Sequence, residues 1–172
     1  ALQEALKLFR ILAKENPVAF EADLAMSLHN LGGYYIKIKN YEQAEAAYQE
    51  TLTLSRKLAN DNPPDFEADL ALTLNNFGLL CINTGEFKQA ETAFQEALTI
   101  FRKLAINNPA VFEDDLAKAI NNLGVLYVDI KEFKQAETAF QEALTLYRKL
   151  VNDNPDAFEA DLAHTLEYLG LL

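Results

Sequence analysis

Apolar side chains along residues 62–108 fall at the three- and four-residue spacing that lays one stripe along an α-helix, and they do so twice. Leu70, Leu74, Phe77, Gly78 and Cys81 form the first stripe. Phe87, Ala90, Ala93, Phe94, Ala97, Leu98, Phe101 and Leu104 form the second, after Asn83, Thr84 and Gly85 break the period as a turn. Asn62 before Pro63 predicts the first start, with Asn62 as the N-cap and Pro63 at a position where its missing N–H and fixed φ fit a helix. Pro109 predicts the second stop near Ile106-Asn107-Asn108, because proline disfavours helical geometry in the residue before it. No stretch alternates with the two-residue period of a strand, so the reading is a pair of helices joined by a short turn.

The pair recurs with a fixed period. Phe20, Phe66, Phe112 and Phe158 stand 46 residues apart, the segment 86–99 is repeated letter for letter at 132–145, and a looser copy fills 40–53. A repeat of this length marks a stacked array rather than a single-core globule. The expected layout is a partial copy at 1–19 (a second helix only), complete copies at 20–65, 66–111 and 112–157, and a partial copy at 158–172 (a first helix only). Beginning and ending within a repeat leaves stacking faces open, the pattern of an excerpt from a longer protein. Gly32, Gly78, Gly124 and Gly170 share one phase in mid-helix, where glycine costs about 0.5–1 kcal/mol against alanine. Close approach of a neighbouring helix, with Ala44, Ala90 and Ala136 as matching small residues, is the expected reason.

These residues resemble the tetratricopeptide repeat, a helix-turn-helix unit with a usual period of about 34 residues. Its pattern runs through Leu74, Phe77-Gly78, Cys81, Ala90, Phe94 and Ala97-Leu98, and again through Ile120, Leu123-Gly124, Tyr127, Ala136, Phe140 and Ala143-Leu144. The first copy reads Leu28, Leu31-Gly32, Tyr35, Ala44, Tyr48 and Thr51-Leu52, with threonine in place of alanine. The period exceeds the family's by about 12 residues, roughly three helical turns shared between the two helices. In its Leu-Asn-Asn-(Phe/Leu)-Gly phrase and long second helix the chain is similar to the extended repeats of kinesin light chains and related bacterial and archaeal arrays. The resemblance implies an all-α fold, a right-handed α-solenoid of antiparallel helix pairs, and a protein-interaction scaffold.

In that family the first helices line a concave groove. The resemblance therefore assigns the inner positions to His29, Asn30, Gly33, Ile36 and Lys37; to Asn75, Asn76, Leu79, Ile82 and Asn83; and to Asn121, Asn122, Val125, Val128 and Asp129. A row of asparagines offers donors and acceptors to a peptide backbone, beside an aliphatic stripe that would set preference. Asn76 and Asn122 have a second reading, in which they only bond neighbouring helices. The Lys and Arg of a carboxylate clamp are missing from the matching positions.

Charge changes the picture of the partner. A net charge of −11 opposes nucleic acid and anionic membranes and favours a neutral or basic protein or peptide. No apolar run reaches the roughly 18 residues that span a bilayer. The single Cys81 sits at the core phase of Tyr35 and Tyr127, so a reducing, cytoplasmic setting is the default. His29 and His164 lie nearly three repeats apart and are read as solvated groove or terminal-helix residues. The acidic pairs at helix starts (Glu21 and Asp23, Glu67 and Asp69, Glu113 to Asp115, Glu159 and Asp161) are read as dipole compensation, and so are the basic pairs Arg56-Lys57, Arg102-Lys103 and Arg148-Lys149 at helix ends. No phosphate loop, zinc spacing or nucleophile elbow is present, so no cofactor, metal or enzymatic activity is expected. The structural rival to a binding scaffold is end-to-end self-association through Leu2, Leu6, Phe9 and Leu12 at one end and Leu162, Leu166 and Leu169 at the other.

Overall fold

In the computed structural model, residues 2–172 are described and form eight α-helices with no strand among them; residue 1, part of the opening partial copy, lies outside the described residues. The helices are α1 (Leu2–Glu15), α2 (Pro17–Lys37), α3 (Tyr41–Asp61), α4 (Pro63–Thr84), α5 (Phe87–Asn107), α6 (Pro109–Asp129), α7 (Phe133–Asp153) and α8 (Pro155–Gly170). Contacts divide the chain into two compact units, Ala1–Gly85 with α1 to α4 and Glu86–Leu172 with α5 to α8. Within each unit every helix packs on the one before it.

The punctuation works as the sequence suggests, with two corrections, the first being that Asn83 and Thr84, expected in the turn, belong to α4 and leave Gly85 as its C-cap. Pro17, Pro63, Pro109 and Pro155 each open a helix after an extended asparagine. Asn16 caps α2 by accepting from the Ala19 amide at 3.3 Å. Asn62 does not cap α4 through its side chain; its amide donates to the Asp65 carboxylate instead. Between the two helices of each pair the chain turns through one left-handed residue, at Lys39, Gly85 and Lys131. Only Gly85 takes that φ without a Cβ penalty, which is about 1–2 kcal/mol for the two lysines.

The first core joins Leu6, Leu24, Leu28, Leu31, Tyr35, Ala44, Tyr48 and Leu80. In the second unit Phe94, Phe101, Ile120, Leu126, Phe140 and Tyr147 are all buried. Each buried leucine, isoleucine or phenylalanine among them contributes about 1.5–3 kcal/mol through removal from water. Cys81 lies buried in α4, as its phase predicts.

The recurring glycine does mark a close approach, but its neighbour is a ring rather than an alanine. A Cβ on Gly32 would come within 2.9 Å of the Tyr48 ring, and one on Gly124 within 2.6 Å of the Phe140 ring. Ala44 and Ala136 are buried on the same helices without being the atoms that exclude it. Gly170 has open space beside it, so its phase alone demands nothing.

Charged residues also depart from expectation. Neither α2 nor α6 has an acid in its first turn, and α3, α5 and α7 have no base in their last. The two sets pair with each other: Lys57 with Glu21 at 2.6 Å and Lys149 with Glu113 at 2.6 Å. Arg102 reaches Glu142 at 2.9 Å, and Arg10 reaches Glu50 in the same register. For Glu21, Lys57, Glu113 and Lys149, ion pairing between neighbouring helices replaces the helix-dipole role expected of them.

Candidate functional site of α2, α4 and α6

On α2 the buried stripe is Leu24, Leu28, Leu31, Gly32 and Tyr35. The residues expected to face a partner fall beside that stripe: Asn30, Gly33 and Lys37 are exposed, and His29 and Ile36 are half-buried. On α4, Asn75, Asn76, Leu79 and Ile82 are half-buried and Asn83 is exposed. Asn83 turns its amide back to the Leu79 carbonyl at 2.8 Å, which ties it to its own helix end.

His29 is not the solvated side chain that its isolation in the sequence suggests. Its ring meets Tyr48 edge-on, with centroids 5.7 Å apart. Nδ1 lies 3.1 Å from the Thr73 hydroxyl, and Nε2 lies 3.1 Å from the Asn76 amide nitrogen. Thr73 donates its only proton to the Asp69 carbonyl at 2.8 Å. Because the Asn76 amide nitrogen can only donate, Nε2 accepts from it and Nδ1–H donates to Thr73, which gives one neutral tautomer. Burial lowers the pKa of His29 from 6.5, against a smaller opposing pull from Asp69. The Asp69 carboxyl is itself raised by burial, partly offset by His29. His29, Thr73 and Asn76 thus fasten α2 to α4. Their hydrogen-bonding capacity is largely committed within the unit.

In the second unit, Asn121, Asn122, Val125 and Val128 of α6 are half-buried and Asp129 is exposed. Thr165 of α8 shares its proton between the Asp161 carbonyl at 2.8 Å and Asn121 Oδ1 at 3.1 Å. Asn121 thus occupies the phase of His29 and Thr165 that of Thr73, so the fastening recurs with an amide in place of an imidazole. The inner residues expected of the first and second copies come together in the first unit, and those of the third lie in the second. Thr73 and Thr165 were not singled out by sequence; their signal was a hydroxyl 44 residues after the inner position.

His164 is exposed on α8, with Nδ1 3.8 Å from a Glu167 carboxylate oxygen. Among the described residues no group of three His, Cys, Asp or Glu is placed to hold a metal. No described helix is long and apolar enough to cross a membrane.

Comparison with known proteins gives the repeat its family. A tetratricopeptide-repeat family model matches residues 23–103 and again 69–149. The fold is similar to that of BtubC (BKLC) from P. vanneervenii, a kinesin light chain-like repeat protein, with a TM-score of 0.57 and 21% identity, over 99% of this chain and 79% of that one. At that identity the likeness carries the α-solenoid fold class alone. No curated protein matches the sequence.

Proposed function

The chain belongs to the tetratricopeptide-repeat family, and from that premise we propose that the part-exposed faces of α2 and α4 in the first unit, and separately that of α6 in the second, each bind an extended or helical segment of a partner protein. Repeats of this family are protein-interaction scaffolds. The observation that carries the finer reading is the exposure pattern on α2. Leu28 and Leu31 are buried, while Asn30, Gly33 and Lys37 between and beyond them remain open. Because His29 and Asn76 already bond each other, recognition falls on Asn30 and Lys37, with Ile36, Leu79 and Ile82 as the aliphatic strip. The net charge of −11 favours a neutral or basic segment.

A displayed peptide library selected against the whole chain tests this reading. Peptides so selected should bind Asn30→Arg/Lys37→Glu at least tenfold more weakly, with the thermal midpoint unchanged, since both residues are exposed. Unchanged affinity in that variant would remove α2 from the binding face.

End-to-end self-association is favoured by a separate observation. Leu166 and Leu172 are 45% and 42% exposed, whereas Ile120 and Leu126 at the same phase are 1% and 0% exposed. Light scattering over a concentration series tests it: a rising mass supports association, and one constant monomer mass rules it out.

A further inference from the structure

We propose that the first unit carries a binding site for a neutral, phenol-sized aromatic molecule, in the slot that Ser55 leaves open between α2, α3 and α4. Phe9, Ser55, Phe101 and Tyr147 share one phase of the 46-residue repeat, and Ser55 alone among them lacks a ring. At Ser55 the first unit has a cavity of about 110 Å³, walled by Met26, Leu58, Phe66, Asp69 and Leu72. That volume is of the order of the ~150 Å³ cavity known to take up benzene.

The second unit shows what such a slot holds. Leu150, Phe158 and Asp161 of α7 and α8 repeat Leu58, Phe66 and Asp69, and Tyr147 stands at the phase of Ser55, 2% exposed. Burial, with Asp161 and then Asp114 nearby, pushes that phenol up from its ordinary pKa and keeps it neutral. The aspartate beside the slot is therefore compatible with a buried ring bearing a hydroxyl.

Polarity narrows the ligand further. Thr51 and Thr73 donate to the carbonyls of Ala47 and Asp69, each at 2.8 Å, and His29 is held by Thr73 and Asn76. The Ser55 hydroxyl and the Asp69 side chain remain as the polar groups that a ligand hydroxyl can meet in a lining that is otherwise mostly apolar. Asp69 can accept from a ligand hydroxyl and repels a carboxylate, as does the net charge of −11. Met26 and Asp69 are exposed at the rim and give the ring a way in. The site stands whether or not a peptide lies along α2 and α4.

Titration of the whole chain with p-cresol tests the site, with benzoate as the anionic comparison. The thermal midpoint should rise with p-cresol concentration, as for any ligand that binds the native state alone, and amide shifts should centre on Ser55, His29 and Thr73. Benzoate should bind at least tenfold more weakly. Ser55→Phe should raise the midpoint without ligand and abolish the p-cresol response, whereas Ser55→Ala should retain it. No response in the wild type, an equal response in Ser55→Phe, or loss of helicity in Ser55→Phe would each overturn the assignment.

Discussion

The helix triplets α2–α4 and α6–α8 are built from one 46-residue phrase, yet they fill the same slot differently. The first places Ser55 among Leu58, Phe66 and Asp69; the second places Tyr147 at that phase. The fastening across each triplet also differs, through the His29 imidazole in one and the Asn121 amide in the other. Three helices can therefore keep their mutual packing while one interior residue changes from a ring to a hydroxyl. A stacked repeat has this latitude because each helix is held along its whole length by neighbours, so one vacant slot removes only part of the contact. In a close-packed interior such a vacancy is felt as lost stability, and it also makes room for a guest.

The sharpest test of this contrast is to empty the second slot. Tyr147→Ser should lower the stability of the chain by about 3 kcal/mol, the usual cost of truncating a buried aromatic side chain. Urea unfolding measures it directly. A loss under about 1 kcal/mol would mean that the ring at Tyr147 does not do for its triplet what its burial implies, and the equivalence of the two slots would fail.

Much of the fold was legible because helix signals are local. Proline after asparagine, a three- and four-residue apolar period and a recurring turn each depend on adjacent residues; α4 begins at Pro63 and α5 ends at Asn107 as those residues indicate, while α4 runs two residues into the expected turn. What escaped depended on residues a repeat apart. Glu21 and Lys57 each looked like a partner for a helix dipole, and their true pairing is across α2 and α3. His29 looked isolated because its partners, Thr73 and Asn76, lie in the next copy. Ser55 carries no local signal of its own; the space it leaves is defined by its neighbours in α2 and α4. The face expected to meet a partner was legible as a phase on the helix; which of its side chains were already bonded within the fold was not.

A second comparison sets Gly124 against Gly170, which share a phase but not a surrounding. Gly124→Ala puts a Cβ 2.6 Å from the Phe140 ring, and displacing that ring should destabilise the chain by about 1–2 kcal/mol despite alanine's better helix propensity. Gly32→Ala meets the Tyr48 ring at 2.9 Å and should do the same less severely. Gly170→Ala enters open space at the end of α8 and should be neutral or gain about 0.5 kcal/mol. Thermal unfolding of the three variants orders them. Equal effects at Gly124 and Gly170 would show that the glycine answers to something other than the ring.

The smallest expected effect concerns the two fastenings and follows from the lowered pKa of His29. In the unfolded chain the imidazole takes up its proton near its ordinary value of 6.5, whereas in the native state it does so only at lower pH. The unfolded state therefore binds more protons in that window, and stability falls as pH drops below about 6.5, levelling off once the native imidazole is also charged. Geometry gives the reason: a proton on Nε2 would face the amide hydrogens of Asn76. Asp69 acts in the opposite sense at lower pH, because its raised carboxyl pKa lets the native state take up a proton first. Substituting His29→Asn gives the first unit the residue that Asn75 and Asn121 supply at this phase, and it should remove the decline below pH 6.5 while preserving the gain near the carboxylate range. Urea titrations at closely spaced pH values read both limbs, and an undiminished decline in His29→Asn would assign the proton to a different group.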